Sequence, residues 1–573
     1  LIIHGTFWLL NFIYMCWSIA GNLRNPAYQI LGWSFIGARV SATLLKLNTA
    51  LVMILACKRF IDHIRKAIEW FAPIDHHILF HSRVGYWIAF NIFVHVACHY
   101  HNMYLLSMLP VAELEVMTHY IYPRQVINNF FFLTYFSVFG FWGHFATACF
   151  VILFLGSVGL VRRKWFEMFQ NTHLLFLGYI VGTVVHAMNL VFGIPSFWLW
   201  VLIPMIIYVA ERSASFRKRV KCKVMRAAIY PGEVLVLHLS RPSSFKCKPG
   251  DYANLKFADV SVHFHPMTMV STPNDKFFHF AIKLQGKHSW TRKVYEDLRA
   301  AYGREALEPN SSYWENEDLA VPLPTPVHYT AEDSLSQKLH FDGRIRMEFV
   351  VDGPFRSPTS AALNITRTVV FICGGIGVTP FASVLRDYQR RIAKLNELSL
   401  MESPRMVYFF FVARTSADLQ FMEPYLAECA SSLSERLLFH QTYVTREEGG
   451  STQIAQAATA KDRAGLAQSS IDIDIDIEME DEEEEDYDAG HVRVDEVFAS
   501  QDTLFQRPSR VGRPDWMTIF ACIKERHPHE HIGVFGCGPK KMMSDCREAS
   551  SKHSQQSSDQ SATFFHFREE VFY

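Results

Sequence analysis

From Leu1 to about Tyr208 the chain is dominated by apolar runs long enough to cross a bilayer, and this constrains the fold more than any other feature. A span needs about 20 mostly apolar residues to traverse ~30 Å of hydrocarbon. Six segments meet that length or approach it: Ile2–Ala20, Ser41–Phe60, Val84–Leu105, Phe131–Val161, Thr172–Phe192 and the shorter Phe197–Glu211. A membrane α-helical domain is therefore predicted over residues 1–212. Beyond it, charged residues, Pro and Gly return at the density of a soluble protein. The formal net charge of zero averages over two unlike halves and gives no reason to expect a nucleic-acid partner. The 11 cysteines form no CxxC pair and no disulfide or zinc framework.

Lys and Arg near the span ends set the orientation. Lys58, Arg59, Arg65, Lys66 and Arg83 follow span two, Arg162, Arg163 and Lys164 follow span four, and Arg212, Arg217, Lys218, Arg219, Lys221 and Lys223 follow span six. The opposite loops hold only Arg24, Arg39 and Arg124. Both termini are expected on the cytosolic side of a plasma or internal membrane. The chain opens on Leu1 rather than Met, so it is expected to continue upstream, with room for a regulatory domain.

Histidines recur in the third and fifth spans at nearly equal separations. His81 and His95 are 14 residues apart, and His173 and His186 are 13 apart. Four helical turns hold ~14.4 residues, so each pair lies roughly on one face with ~20 Å between its members. Odd-numbered spans run in the same direction, which sets His81 opposite His173 on the cytosolic side and His95 opposite His186 on the outer side. That arrangement suits two stacked haems, each clamped by two imidazoles. A single intramembrane histidine is as often an interhelical hydrogen-bonder. Two matched pairs favour function, because polar groups at that depth are costly. His4, His99, His101 and His144 lack a matched partner and read as structural or interfacial. Arg39, at the outer start of span two, reads from position alone as an interfacial anchor.

Past the basic stretch, VLVLHLSRP, PGDYANLKF, HPMTMVSTP and FHFAIKL are short strand-like runs broken by Pro and Gly, as in a small antiparallel barrel. TRTVVFICGGIGVTPFASVLRDY reads as a buried strand, a Gly-rich turn and a helix start, and further buried strands follow in MVYFFFVART and HIGVFGCGP. This is α/β order with a parallel sheet. Backbone N–H groups at such a strand end, together with the following helix N-terminus, attract dinucleotide phosphates.

Taken together, HPMTMVS, GGIGVTPF, GRPDW and VFGCGP resemble the ferredoxin–NADP reductase type of module. Joined to the histidine-paired spans, with ARVSATLLKLN, FHSRVGYWIAFNIFVHVACH and WFEMFQNTH, they resemble the NADPH oxidase family within the ferric reductase superfamily. The resemblance covers nearly the whole chain. It implies a six-span di-haem domain over 1–212, an FAD-binding barrel over 217–360 and an NADPH-binding α/β domain over 366–573. It also implies that His265, Pro266, Met267 and Thr268 form the flavin-contacting strand, with Ser271 nearby. Met267 stands where the family usually has Phe, which implies looser stacking there. Trp290 and Thr291 match a second FAD segment. Gly374, Gly375, Gly377, Val378, Thr379 and Pro380 would hold NADPH phosphates, Arg414 would select the 2′-phosphate, and Cys537 would sit near the nicotinamide. Phe572, or the terminal Tyr573, would cover the flavin ring. Arg39 gains weight as a group at the outer haem.

The implied path runs from NADPH through FAD and two b-type haems to dioxygen across the bilayer, giving superoxide. The alternative acceptor is a ferric or cupric ion, which ARVSATLLKLN and the first span disfavour. Further expectations, which no motif carries, are a small membrane subunit, together with cytosolic activators that include a small GTPase. Two insertions, near 302–337 and 446–499, are expected to be disordered. The second contains IDIDIDIEMEDEEEED, too charged to fold alone.

Overall fold

The computed structural model describes residues 2–68, 77–109, 129–188, 196–257, 259–303, 307, 348–364, 366–392, 406–422, 425, 438–446, 510–554 and 563–570. It divides into two compact units, Leu1–Arg219 and Val220–Tyr573.

Among the described residues, the first unit is built of helices. In chain order its α-helices are α1 (Ile2–Asn22), α2 (Pro26–Leu31), α3 (Trp33–Ala56), α4 (Lys58–Ile68), α5 (His77–Met108), α6 (Val138–Ser157), α7 (Gly159–Lys164), α8 (Phe166–His173), α9 (Phe176–Ala187) and α10 (Phe197–Lys218). Four stretches among the described residues are long and apolar enough to cross a membrane: Trp33–Ala56, Val138–Ser157, Phe166–Ala187 and Phe197–Lys218. The histidines and asparagines of α5 lower its hydropathy, although the predicted span Val84–Leu105 lies wholly inside that helix. Large apolar side chains such as Trp17, Phe93, Leu160 and Ile203 point outward, as a lipid-facing surface requires.

Three predicted spans are not continuous. Ser41–Phe60 is interrupted at Cys57, between α3 and α4. Phe131–Val161 begins with a turn of π-helix at Phe132–Phe136, and α6 starts only after Ser137, whose backbone is extended. The Ser137 hydroxyl accepts from Gly140 N at 3.0 Å and caps the new helix. A Cβ at Gly140 would strike the Thr134 carbonyl, so glycine permits the break. The described part of Thr172–Phe192, up to Met188, falls on α8 and α9, which are separated at Leu174 and Leu175.

The second unit pairs a barrel with an α/β layer. The barrel strands are β1 (Val220–Tyr230), β2 (Val234–Ser240), β3 (Tyr252–Phe257), β4 (His265–Thr268), β5 (Phe277–Lys283) and β6 (Glu348–Phe355), ordered β4-β3-β6-β1-β2-β5 with every pairing antiparallel. A bridge between Met269 and Phe280 closes the ring. The barrel is filled by alternating inward side chains such as Leu235, Leu237, Leu255, Phe278 and Phe280. Helix α11 (Trp290–Tyr302) follows β5.

The second sheet contains β7 (Thr368–Gly374), β8 (Met406–Ala413), β9 (Leu438–Val444), β10 (Arg510–Val511), β11 (His531–Cys537) and β12 (Phe564–Glu569). Its order is β10-β9-β8-β7-β11-β12, and every pairing is parallel. Helices α12 (Thr379–Ile392), α13 (Trp516–Arg526) and α14 (Lys540–Ser554) belong to it. The central strands are buried, with Val370, Phe371, Phe410 and Val534 inaccessible, as expected where helices cover both faces of a parallel sheet. Most of both predicted insertions lies outside the described residues.

Candidate functional site

Helices α3 and α5 pack together, as do α6 and α9, and these packings aim the four histidines. The His81 and His173 ring centres are 6.1 Å apart, and so are those of His95 and His186. An iron ligated by two imidazoles at about 2 Å each places the ring centres about 6 Å apart.

The hydrogen bonds at Nδ1 are more discriminating. His81 Nδ1 is 2.9 Å from the Val52 carbonyl, His95 Nδ1 is 3.1 Å from that of Ala38, and His186 Nδ1 is 2.7 Å from that of Phe139. A carbonyl only accepts, so each Nδ1 carries the proton and the neutral ring has its lone pair on Nε2. His173 Nδ1 is 3.1 Å from Ser157 Oγ, and that hydroxyl already donates to the Leu153 carbonyl at 2.7 Å. Ser157 therefore accepts, and His173 is the same tautomer. Metal-ligating histidines are oriented in this way by a partner on the other nitrogen. His144 differs: Nδ1 donates to the Gly140 carbonyl at 2.8 Å, while Nε2 lies 2.8 Å from the Tyr100 hydroxyl. Its lone pair is engaged by a protein donor.

A cavity of about 390 Å³ opens between His95 and His186. Arg39, Lys46 and His99 also line it. The Arg39 Nε donates to Asn22 Oδ1 at 3.3 Å, and the Lys46 ammonium donates to Ser196 Oγ at 2.8 Å. Gly143 makes room for the His186 ring, since a Cβ there would come within 2.9 Å of Nδ1. The sequence reading passes over Lys46, Gly143, Ser41 and Ser157. Lys46 had a visible signal, its spacing of seven from Arg39 in an apolar helix. The others gain their meaning from neighbouring helices.

In the second unit, β4 carries His265, Pro266, Met267 and Thr268 along the barrel edge. His265 and Thr268 are buried, whereas Pro266 and Met267 are half-buried. The His265 ring stacks on Trp290, with centres 4.3 Å apart and planes 15° from parallel. Trp290 and Thr291 open α11, which Ser289 caps by accepting from Arg292 N at 3.2 Å. Among the described residues, Ser271 Oγ and Trp290 Nε1 are buried without a protein hydrogen-bond partner. Buried polar atoms are almost always satisfied, so these two fit a site completed by a bound polar group such as FAD.

The nicotinamide-side motifs converge at the carboxyl ends of the adjacent strands β8, β7 and β11. Gly374 ends β7, and Gly375 has φ +52° with open space beside it. A Cβ at Gly377 would lie 2.5 Å from the Cys537 carbonyl oxygen, so the loop after β7 can pack on the end of β11 only with glycine there. Val378 is buried, and Thr379 and Pro380 begin α12. Arg414 follows the last residue of β8 and is exposed. Cys537 is buried, and burial together with Glu570 and Glu569 pushes its thiol well above the usual range, keeping it protonated. Buried Glu570 accepts from Thr359 N and Oγ1 at 3.0 and 2.5 Å, a role the sequence reading did not assign. Phe572 and Tyr573 lie outside the described residues.

Family models divide the chain along the same lines. The ferric reductase like transmembrane component matches residues 42–184, an FAD-binding domain matches 219–359, and the ferric reductase NAD binding domain matches 366–551. A superoxide-generating NADPH oxidase heavy chain of Dictyostelium discoideum is 26% identical over 566 residues, covering 98% of this chain and 94% of that one. The chain belongs to the NADPH oxidase family. NADPH oxidase 1 of Mus musculus is 24% identical, covering 99% of this chain and 92% of its own. Respiratory burst oxidase homolog protein B of Solanum tuberosum is also 24% identical, but this chain spans only 61% of its length. Among solved structures, a ferredoxin NADP+ reductase from Neisseria gonorrhoeae aligns at 11% identity and TM-score 0.33, covering 61% of this chain and 98% of that one. As a member of the NADPH oxidase family within the ferric reductase superfamily, the chain is an integral membrane oxidoreductase that takes FAD, NADPH and haem.

Proposed function

We propose that this chain oxidises NADPH on the cytosolic side of a membrane and reduces dioxygen on the opposite side: NADPH + 2 O2 → NADP+ + H+ + 2 superoxide. The observation that carries this reading is the set of four intramembrane histidines, each held as the Nδ1–H tautomer, in two pairs with the same 6.1 Å separation. In the bound state FAD converts a two-electron donor into single electrons, and two b-type haems carry those electrons one at a time.

His81 with His173, and His95 with His186, are the haem ligands in this reading. With two protein ligands a haem iron would have no open coordination position, which would favour electron transfer over oxygen binding at the metal. Arg39 offers a fixed cation where an anionic product forms. His265, Pro266, Met267 and Thr268, with Ser271, Trp290 and Thr291, orient the flavin. Gly374, Gly375, Gly377, Val378, Thr379 and Pro380 admit the NADPH phosphates, and exposed Arg414 suits a 2′-phosphate. Protonated Cys537 offers a small, unreactive surface beside the nicotinamide. Phe572 would cover the flavin ring until nicotinamide displaces it.

The three modules are 1–212, 217–360 and 366–573, with both termini cytosolic in a plasma or internal membrane. The density of Lys and Arg after Ala56, Ser157 and Tyr208 supports that orientation. A small membrane subunit, with cytosolic activators that include a small GTPase, fits the family pattern.

Purified protein tests the reading. Dithionite is expected to produce a b-type spectrum, and NADPH to drive cytochrome c reduction that superoxide dismutase abolishes. Ferric-chelate reduction without superoxide would assign the metalloreductase activity instead.

A further inference from the structure

Among the described residues, the cavity beside His95 and His186 is lined by two side-chain cations, Arg39 and Lys46, and by no Asp or Glu. Outside the described residues, 189–195, which precede Ser196, contain no acid, and 110–128, between the third and fourth spans, contain Glu113 and Glu115. The two cations are seven residues apart on α3, two helical turns and ~10.5 Å along one face. Among the described residues, their hydrogen bonds go to neutral atoms, Asn22 Oδ1 and Ser196 Oγ.

Other polar side chains of α3 are tied into helix–helix contacts. Asn48 donates to Asn11 and to the Leu44 carbonyl, and Thr49 meets the Tyr179 hydroxyl. Lys46 is different, because a hydroxyl does not neutralise an ammonium. Charged groups at membrane depth persist where they face a functional cavity and pair with opposite charge. The arrangement therefore suits an occupant bearing two negative charges. A b-type haem has two propionate carboxylates.

We propose that Lys46 is a positioning residue of the outer haem site: it supplies the second cation for the carboxylates of the group held by His95 and His186, and so raises that group's reduction potential. This rests on the assignment of His95 and His186 as haem ligands. A fixed cation stabilises the form carrying one more electron, by an amount that grows as the surroundings become less polar. Removing it lowers the potential of the nearer centre and leaves the His81/His173 centre unmoved.

Spectroelectrochemical titration of the full chain tests this, with haem per polypeptide measured alongside. In the wild type two b-type components are expected. In Lys46→Gln one component should shift negative by about tenfold in its reduction equilibrium, about 59 mV for one electron, while the other stays in place. Lys46→Arg should restore the potential, or restore occupancy if Lys46→Gln loses one haem. Ser196→Ala, which removes the neutral partner and keeps the charge, should remain close to wild type.

The proposal fails if both components of Lys46→Gln stay at wild-type potentials. It fails equally if Ser196→Ala reproduces Lys46→Gln, or if Lys46→Arg loses haem as Lys46→Gln does. Lys46 would then be a tether between α3 and the start of α10. A wild-type preparation with no b-type spectrum would instead remove the haem assignment, and this inference with it.

Discussion

In the membrane unit the atoms proposed to meet a cofactor belong to side chains, four imidazoles on α5, α8 and α9 aimed by hydrogen bonds at Nδ1. In the unit that follows they belong largely to main chain, at Gly374, Gly375 and Gly377, where a missing Cβ leaves room. The difference follows from the surroundings. In hydrocarbon the backbone must satisfy itself within helices, so only side chains are available to bind. At the end of a parallel strand, backbone N–H groups are exposed and suit phosphate. The first unit should therefore be vulnerable to atoms removed, and the second to atoms added.

The largest effect tests the first half of that contrast. His81→Ala or His173→Ala should lose one of two haems per polypeptide, measured as pyridine haemochromogen, and cut NADPH-driven superoxide below about one-hundredth of wild type. His144→Ala, whose two nitrogens both have protein partners, should keep both haems. A loss at His144 equal to that at His81 would break the side-chain account.

The second half predicts damage from a single methyl group. Gly377→Ala places a carbon 2.5 Å from the Cys537 carbonyl oxygen, a backbone atom in a buried sheet that cannot step aside. Overpacking of this kind costs about 1–3 kcal/mol. The KM for NADPH should rise roughly tenfold while haem content and flavin content remain at wild-type values. Gly375→Ala meets open space, but its φ of +52° disfavours any side chain, so a smaller rise is expected. An unchanged KM in Gly377→Ala would show that the loop is not packed as described.

A finer comparison lies within the membrane unit. His173 has Ser157 as its Nδ1 partner, whereas His95 has both the Ala38 carbonyl and Ser41 Oγ, at 3.1 and 3.3 Å. Loss of such outer partners typically costs 10–100-fold in metal affinity. Ser157→Ala should therefore weaken haem retention about tenfold in a competition assay with apomyoglobin, and Ser41→Ala should have little effect because the carbonyl remains. Equal losses would mean that backbone and side-chain partners do not substitute for one another.

The same contrast explains what the sequence made legible. The histidine spacing was readable because helical periodicity fixes which residues share a face, and only four turns separate the members of each pair. The Gly-rich turn was readable because a strand must precede it and a helix follow it. The Nδ1 partners were not, since Val52, Ala38 and Phe139 contribute carbonyls, which every residue has, and only packing decides which one is reached. The break at Ser137 was hidden for a related reason. Phe131–Val161 is predominantly apolar, and the cap at Ser137 depends on a backbone conformation that hydropathy does not encode. Strand order in both sheets also lies beyond local pattern, because β6 inserts between β3 and β1 from almost a hundred residues away.

The smallest predicted effect concerns how the barrel and the α/β layer are fastened together inside the second unit. Asp275, in the loop after β4, meets Arg386 and Arg390 of α12 at 2.9 and 2.8 Å and accepts from Thr272 N at 2.7 Å. Burial alone would raise its carboxyl, but Arg386 above all outweighs that and holds it at about 2. A lowered folded-state value stabilises the fold when the pH is above the unfolded value, near 3.8, and that contribution disappears as the pH falls from about 4 towards 2. At neutral pH it is worth about 2 kcal/mol. Asp275→Asn should lower the unfolding temperature of the second unit by a few degrees at pH 7, and the difference from wild type should shrink as the solution is acidified below pH 4. If the gap stayed constant down to pH 2, the ion pair would not be what joins the two layers. The glycine contacts at Gly250, whose N–H donates to Ser383 Oγ at 2.7 Å, would then be the stronger fastening, again made through main chain.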